Sequence, residues 1–109
     1  LSEGTRNKRK KDLNMARYLY SKAVAGHEDA QAQENFFDDG TVQLQSYSTI
    51  IIEINPEGWL HVTGLYSMTT IKHIGWFMRS RGLTYQLAKQ MLYDHKDYNI
   101  RTGEVRDWK

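Results

Sequence analysis

The stretch of sequence that decides the fold runs from Tyr47 to Gly82 and reads YSTIIIEINPEGWLHVTGLYSMTTIKHIGWFMRSRG. Tyr47 to Ile54 is rich in β-branched residues and predicts a strand, and the alternation from Trp59 to Thr63 predicts its partner. Between them, Asn55-Pro56-Glu57-Gly58 favours a tight turn, because Pro presets φ at the second position and Gly tolerates positive φ at the fourth. The stretch therefore predicts a β-hairpin that leads into an amphipathic helix.

Two helices are predicted after the hairpin. Thr69 or Thr70 suits the N-cap of the first helix, which Gly82 would end, and Thr84 suits the N-cap of the second. The run Leu65 to Met68 is interpreted as a third strand. Near the end of the sequence, Ile100 and Val105 flank Thr102-Gly103, which predicts a small C-terminal hairpin.

Upstream of the hairpin, Thr41 to Leu44 has the same β-branched character as Tyr47 to Ile54, and the sequence before it favours helix. Residues 1–7 are predicted to be a mobile tail, Lys8 to Ala25 has apolar residues at three- and four-residue spacing, and His27 to Phe37 is rich in helix-favouring Ala, Gln and Glu. The predicted fold class is α+β, with N-terminal helices, a small antiparallel hairpin-based sheet packed with an αα-hairpin, and a short C-terminal hairpin. We expect one α+β domain over residues 1–109, since 109 residues correspond to about one domain.

The composition excludes several classes of function. The sequence has no cysteine, so disulfides, thiolate nucleophiles and Cys-based metal sites are excluded, and a reducing compartment such as the cytoplasm is expected. No apolar run reaches the roughly 18–20 residues of a membrane span. The net charge of +2 is too small to require a nucleic-acid partner and has the wrong sign for a whole-molecule DNA mimic.

The densest basic run lies near the start of the sequence and could grip phosphates. It consists of Arg6, Lys8, Arg9, Lys10 and Lys11. Such runs bind nucleic acid without sequence preference, although a solvated helix end is the commoner explanation. The two helices around Gly82 also suggest a helix-turn-helix, but the polar run Asp94 to Asn99 follows where a recognition helix is needed, so an αα-hairpin is the preferred interpretation.

The sequence carries no recognisable catalytic or cofactor motif. The four histidines, His27, His61, His73 and His95, have no metal-ligand spacing, although a cluster of Asp94, His95 and Asp97 leaves a metal-assisted hydrolase as a third possibility. No serine lies in a Gly-x-Ser-x-Gly elbow, and no phosphate-cradling loop is present. We therefore expect no enzymatic activity, no metal and no cofactor.

An aromatic patch is predicted on the outward face of the hairpin, where Trp59, His61, Thr63 and Tyr66 could lie together. Tryptophan and tyrosine dominate protein interfaces, although a covering helix could equally bury this face. Adding the exposed candidates of the following helix gives the predicted partner-binding residues, namely Trp59, His61, Tyr66, Lys72, His73, Arg79 and Arg81.

Residues 47–105 resemble a group of small proteins of uncharacterised function from phages, prophages and plasmids of Gram-positive bacteria. The residues that carry the resemblance are Tyr47-Ser48-Thr49, Val62-Thr63-Gly64, Tyr66 to Thr70, Lys72-His73-Ile74, Leu83-Thr84-Tyr85, Ala88-Lys89 and Thr102 to Val105. The resemblance implies a setting in an infected bacterial host, and small proteins of this kind are often inhibitors of host defence.

Among such inhibitors, anti-CRISPR proteins directed at type II effector nucleases are the nearest functional class. The expected function is therefore stoichiometric protein–protein contact with a CRISPR effector nuclease or its guide-RNA complex. A local mimic of phosphates is also conceivable, from the acidic residues Glu28, Asp29, Glu34, Asp38 and Asp39. The alternative is a nucleic-acid-binding accessory protein that uses the basic N-terminal run.

Overall fold

The computed structural model describes residues 16–108, which form one antiparallel sheet and two helices. The strands are β1 (Tyr18–Ala23), β2 (Ala32–Phe37), β3 (Val42–Ser46), β4 (Thr49–Ile54), β5 (Trp59–Val62), β6 (Lys96–Asn99) and β7 (Val105–Asp107). The helices are α1 (Met68–Arg79) and α2 (Tyr85–Asp94), and both lie between β5 and β6 in the sequence. Neither helix has the length and apolar character needed to cross a membrane.

The seven strands pair in the order in which they occur along the chain, each antiparallel to the next. One row of cross-strand neighbours joins Glu34, Leu44, Ile52 and Val62, and the adjacent row joins Asn35, Gln43, Glu53 and His61. Because successive side chains on a strand point to opposite faces, the first row lies towards the helices and the second lies on the other face. We call the second face the outer face.

The hydrophobic core lies between the helices and one face of the sheet. Leu44, Ile52 and Leu60 from the strands are fully buried together with Ile74 and Phe77 of α1. The register shifts between Leu44 and Gln45, so that both Ile51 and Ile52 are buried although they are adjacent in sequence. Helix α1 packs over β3, and α2 packs over β5 and β6.

The predicted architecture is wrong in its N-terminal half. The predicted helices over Lys8 to Ala25 and His27 to Phe37 are instead the strands β1 and β2 where the structure describes them. In β2 the side chains alternate in period two, because Ala32 and Glu34 are buried towards the helices while Gln33 and Asn35 lie on the outer face. Cross-strand pairing thus overrides the helix propensity of Ala, Gln and Glu.

Other parts of the predicted fold class also need correction. The sheet is large, with seven strands where a small hairpin-based sheet was predicted, and the predicted C-terminal hairpin is present as its last two strands. The segment from Leu65 to Ser67 has no strand, and α1 begins with Ser67 as its N-cap, whose hydroxyl accepts from the Thr70 amide. The turn at Asn55 to Gly58 is present, with the Gly58 amide donating to the Asn55 carbonyl oxygen. The predicted mobile tail, residues 1–7, lies outside the described residues.

Candidate interaction surfaces

Four exposed side chains surround the N-terminal turn of α1, and we call them the helix-end surface. They are Tyr47, Tyr66, Met68 and Lys72. The exposed fractions of Tyr47, Tyr66 and Met68 are 54%, 60% and 81%, which is high for large apolar side chains. Tyrosine and methionine are among the residues enriched at protein interfaces. The surface therefore offers apolar anchors and one cation.

Tyr47 occupies a strained position in the tight turn between β3 and β4. Its φ is 56°, in the left-handed region that two-residue hairpin turns usually fill with Gly or Asn. For a bulky residue this conformation costs about 1–2 kcal/mol. The preceding residue, Ser46, is bonded to Thr70 at 3.1 Å and to His73 at 2.7 Å, so the turn is fixed to α1. The fold thus holds an exposed aromatic ring in a conformation that the backbone disfavours.

Tyr66 has the same two properties in the loop between β5 and α1. Its φ is 59°, and its hydroxyl lies 3.1 Å from Oγ1 of Thr63. The ring packs over Gly64, where an added Cβ would lie 2.9 Å from Cε2 of the tyrosine. Because no side chain fits there, Gly64 is what allows the ring to lie back against the loop. The loop therefore presents Tyr66 in a defined orientation.

His73 lies in the core beneath this surface rather than on it. It is only 2% exposed, and its Nδ1 shares a hydrogen bond with Oγ of Ser46. Burial, followed by the nearby charges of Lys72 and His27, lowers the pKa of His73, so the imidazole is neutral at pH 7. A buried, neutral histidine bonded to a buried serine cannot reach an external substrate. The pair is a structural link between β3 and α1.

Trp76 connects this buried link to the surface. His27 stacks on the Trp76 ring with centroids 3.6 Å apart, and the His73 ring lies 5.2 Å away on another side. The ammonium group of Lys72 is 5.8 Å from the same ring. Lys72 begins the second turn of α1, where a cation gains nothing from the helix dipole. Its charge is therefore available to a partner rather than needed by the helix.

A second candidate site is a groove of about 300 Å³ lined by His61, Asp97, Arg106, Asp107 and Trp108, which we call the His61 groove. Nδ1 of His61 donates to Oδ1 of Asp97 over 2.9 Å, and Nε2 has no hydrogen-bond partner within residues 16–108. This is the geometry of a general base with its orienting carboxylate. None of the residues that line the groove is a Ser, Thr or Cys nucleophile, so the pair alone does not make a hydrolase.

Arg106 and Trp108 form the rest of the groove. The guanidinium group of Arg106 lies 4.1 Å from the centroid of the Trp59 ring, so the aromatic face predicted to bind a partner is covered by this cation. Trp108 stacks on His95, with centroids 4.7 Å apart, and its other neighbour is His61 at 4.9 Å. Its indole Nε1 is shielded from solvent and has no acceptor within residues 16–108.

The remaining predicted partner-binding residues lie at the far end of α1. Arg79 is exposed, whereas Arg81 is half-buried and forms an ion pair with Glu34 at 2.9 Å. The Arg81 guanidinium also lies 4.0 Å from the centroid of the Phe77 ring. Arg81 is therefore committed to the fold.

The structure thus distributes the seven predicted residues over separate places. Tyr66 and Lys72 belong to the helix-end surface, Trp59 and His61 lie on the outer face, and His73 is buried. Sequence reasoning missed Tyr47 and Met68. One signal was present, because Tyr47-Ser48 stands where a tight hairpin normally has Asn-Gly.

The five acidic residues proposed as a phosphate mimic do not form one face. Glu34 is buried, Glu28 and Asp29 lie in the turn before β2, and Asp38 and Asp39 lie in the turn after it. The six residues of β2 separate the two turns by roughly 20 Å. Among the described residues, no group of three or more His, Asp or Glu side chains could hold a metal ion. The basic run Arg6 to Lys11 lies outside the described residues.

An antiparallel sheet in simple strand order, with two helices inserted before its sixth strand, defines the class of domain. The chain belongs to the DUF8033 family, a family of unknown function whose model matches residues 15–95. The helix-end surface lies within the matched region, whereas Asp97, Arg106 and Trp108 of the His61 groove lie beyond it. Searches among curated proteins and among solved structures found no match.

Proposed function

We propose that this protein is a non-enzymatic binding protein that acts by stoichiometric contact with another protein through the helix-end surface. The observation that carries the proposal is the pair of exposed tyrosines, Tyr47 and Tyr66, both at positive φ. Strained backbone persists only where the surrounding structure enforces it, and it concentrates at functional sites. Two such residues flanking one helix terminus support a recognition surface.

The chemistry of the surface indicates the kind of partner. Tyr47, Tyr66 and Met68 would fill apolar pockets, and Lys72 would face a carboxylate at the rim of the contact. The sequence resemblance to phage and plasmid proteins of Gram-positive bacteria supports a host-defence protein as the partner. Our first candidate is a type II CRISPR effector nuclease or its guide-RNA complex, met in the cytoplasm of an infected cell.

A direct binding experiment tests this proposal. Purified effector nuclease, with and without guide RNA, is mixed with the protein, and complex formation is followed by size-exclusion chromatography and calorimetry. We expect a complex of fixed stoichiometry that survives nuclease treatment of any free nucleic acid. Absence of a complex with both forms of the effector would refute the host-defence partner.

Variants test the surface itself. Tyr47→Gly and Tyr66→Gly remove the rings while relieving the positive φ, so the fold should be retained. Each should weaken binding by 2 kcal/mol or more, about 30-fold, if the tyrosine is a hot spot. Unchanged affinity in both variants would show that the surface is assigned wrongly.

Charge reversal has a closely matched control in the same chain. Lys72 and Lys89 both lie 5.8 Å from an aromatic ring one turn away, Trp76 and Tyr93 respectively. Lys72→Glu should reduce binding, and it is compatible with the helix because an anion is tolerated near the N-terminal end. Lys89→Glu on α2 should leave binding unchanged. Equal effects of the two reversals would point to non-specific electrostatics.

A second candidate function, nucleic-acid binding, is favoured by the distribution of charge. Within residues 16–108, nine Lys and Arg are opposed by eleven Asp and Glu, whereas the other sixteen residues carry six Lys and Arg and two Asp and Glu. The positive excess thus lies outside the described part, chiefly in Arg6 to Lys11. Contact of these five residues with phosphates predicts a log–log salt slope of about −4 to −5 on duplex DNA. A flat response would eliminate this candidate.

A further inference from the structure

We propose that the His61 groove is a binding site for a carboxylate group, held by the Arg106 guanidinium and the Trp108 indole N–H. This site lies on the outer face and is independent of the helix-end surface. Three observations carry it, which are the unbonded donors of Arg106, the missing acceptor of Trp108 among the described residues, and the charge balance of the groove.

Arg106 is placed beside an aromatic ring, and its donors are unbonded among the described residues. Its Cζ lies 4.1 Å from the centroid of the Trp59 ring, and Oδ2 of Asp97 is 3.8 Å from Nε, close enough for an ion pair but beyond hydrogen-bond distance. Within residues 16–108 the Arg106 side chain donates no hydrogen bond, and it is 42% exposed. A guanidinium with unbonded donors matches a carboxylate, which accepts two parallel N–H donors.

Trp108 adds a donor that has no acceptor within residues 16–108. Its Nε1 is shielded from solvent, and leaving a buried polar group without a partner is unfavourable. The ring is fixed by His95 on one side and His61 on another, so the indole cannot turn away without breaking both contacts. Because Trp108 lines the groove, a ligand oxygen bound there is the acceptor that we assign to this donor.

The charges of the groove favour a monoanion over a dianion. Asp97 is engaged by His61, and Asp107 forms an ion pair with Lys96. The hydrogen bond with Lys96 lowers the pKa of Asp107 and that with Asp107 raises the pKa of Lys96, so this pair stays charged and contributes no net charge. Arg106 and Asp97 also form a pair without net charge. The donors left for an anion are the unbonded N–H groups of Arg106, which match one carboxylate, and the repulsion from Asp97 and Asp107 is larger for a phosphate dianion than for a monoanion.

The probe is benzoate, because the groove is walled by aromatic rings, with benzamide as the neutral isostere and phenyl phosphate as the dianion. The readout is the nitrogen–proton spectrum of the three tryptophan indoles, assigned by Trp59→Phe, Trp76→Phe and Trp108→Phe variants. Benzoate at millimolar concentration should shift the Trp108 indole signal and leave that of Trp76 in place. No Trp108 shift with benzoate, or an equal shift with benzamide, would overturn the proposal.

Two variants give opposite expected signs. Arg106→Gln should weaken benzoate binding about 10-fold or more, because it removes hydrogen bonds between two charged groups, which are stronger than those between neutral ones. Asp97→Asn removes a repelling charge, so it should strengthen benzoate binding and allow phenyl phosphate to bind. Arg101→Gln, which changes an exposed arginine outside the groove, is the control and should have no effect. Equal affinities in the Arg106 and Arg101 variants would refute the assigned contact.

The carboxylate could come from a free metabolite or from the end of a peptide chain. Acetyl-Ala-Ala-Phe with a free carboxylate and the same peptide as its amide separate these sources. Tighter binding of the free acid than of benzoate identifies a peptide terminus, and tighter binding of benzoate identifies a small acid. Either result supports the site, whereas equal binding of the acid and amide peptides contradicts it. Tyr47 and Tyr66 variants should behave as wild type, so this test is independent of the proposed function.

Discussion

Removing the Arg81 side chain should destabilise the protein by about 3 kcal/mol, because it would leave the Glu34 carboxylate buried without a partner. Glu34 is 4% exposed as a side chain, and within residues 16–108 its only hydrogen bonds come from Arg81, at 2.9 and 3.4 Å. Breaking one side of a buried pair costs roughly 3–5 kcal/mol. Arg81 is itself 21% exposed, so we expect the lower end of that range.

The assay is urea unfolding of Arg81→Met monitored by circular dichroism, which gives the free energy of unfolding. In thermal unfolding of the same variant, a loss of about 3 kcal/mol should lower the melting temperature by roughly 10–20 °C for a domain of this size. Arg79→Met is the matched control, since Arg79 is exposed and forms no ion pair among the described residues, and its effect should stay within about 0.5 kcal/mol.

A double variant decides whether the buried charge is the cause. Glu34→Met with Arg81→Met replaces both ions by apolar groups and should recover most of the lost stability. The reasoning is refuted if Arg81→Met costs less than about 1 kcal/mol, or if the double variant is less stable than the single one. Either result would mean that the pair is hydrated, or that Arg81 acts chiefly through its contact with Phe77.

Three further predictions concern the sites and the helix ends. The pKa of His73 is lower in the folded state than its usual 6.5, so the unfolded state binds more protons, and stability should fall as the pH drops below about 6.5. Urea titrations at several pH values measure this dependence, and His73→Gln should make it weaker. Thr84→Ala removes the side chain that caps α2 and should lower the stability by about 1 kcal/mol, measured by thermal unfolding. An equal loss of stability in Thr84→Ser, which retains a hydroxyl group, would argue against the cap. Gly64→Ala must displace the Tyr66 ring, so it should clearly weaken partner binding while it changes the melting temperature little. Unaltered binding would show that the orientation of Tyr66 does not matter.

Part of the fold could be predicted because it is encoded locally. The turn at Asn55 to Gly58 depends on residues within four positions, and both flanking strands, β4 and β5, have strong β propensity. The helix that follows has its own cap and apolar face. In these segments, local preference and tertiary environment agree, so the sequence pattern is sufficient.

The N-terminal half could not be predicted, because its residues have one preference and their neighbours another. Ala32, Gln33 and Glu34 favour helix, but Glu34 is buried as a strand residue only because Arg81 lies across from it, 47 positions away. Leu19 and Tyr20 lie on the edge strand β1 and are half-exposed, so they give no clear period-two pattern. Local sequence patterns do not predict contacts between residues that are far apart in the sequence.

The candidate sites were predictable to different degrees. Tyr66 and Lys72 were identified as exposed candidates, although the start of the helix was predicted wrongly, with Thr69 or Thr70 as the N-cap in place of Ser67. The His61 groove joins side chains from β5, β6 and β7, and its central hydrogen bond spans 36 positions between His61 and Asp97. No local pattern reports such a contact. The positive φ of Tyr47 likewise depends on the exact register of β3 and β4.

The order of the strands has a consequence for how the protein folds. Strands β1 to β4 each pair with the next strand along the chain, so these contacts close only short loops. The pairing of β5 with β6 instead encloses both helices, from residue 63 to residue 95. Folds in which most contacts join neighbouring segments of the chain, as in β1 to β5, form quickly. Synthesised from its amino end, the chain can build the first five strands hairpin by hairpin. The pairing of β5 with β6 has to wait until α1 and α2 have been made.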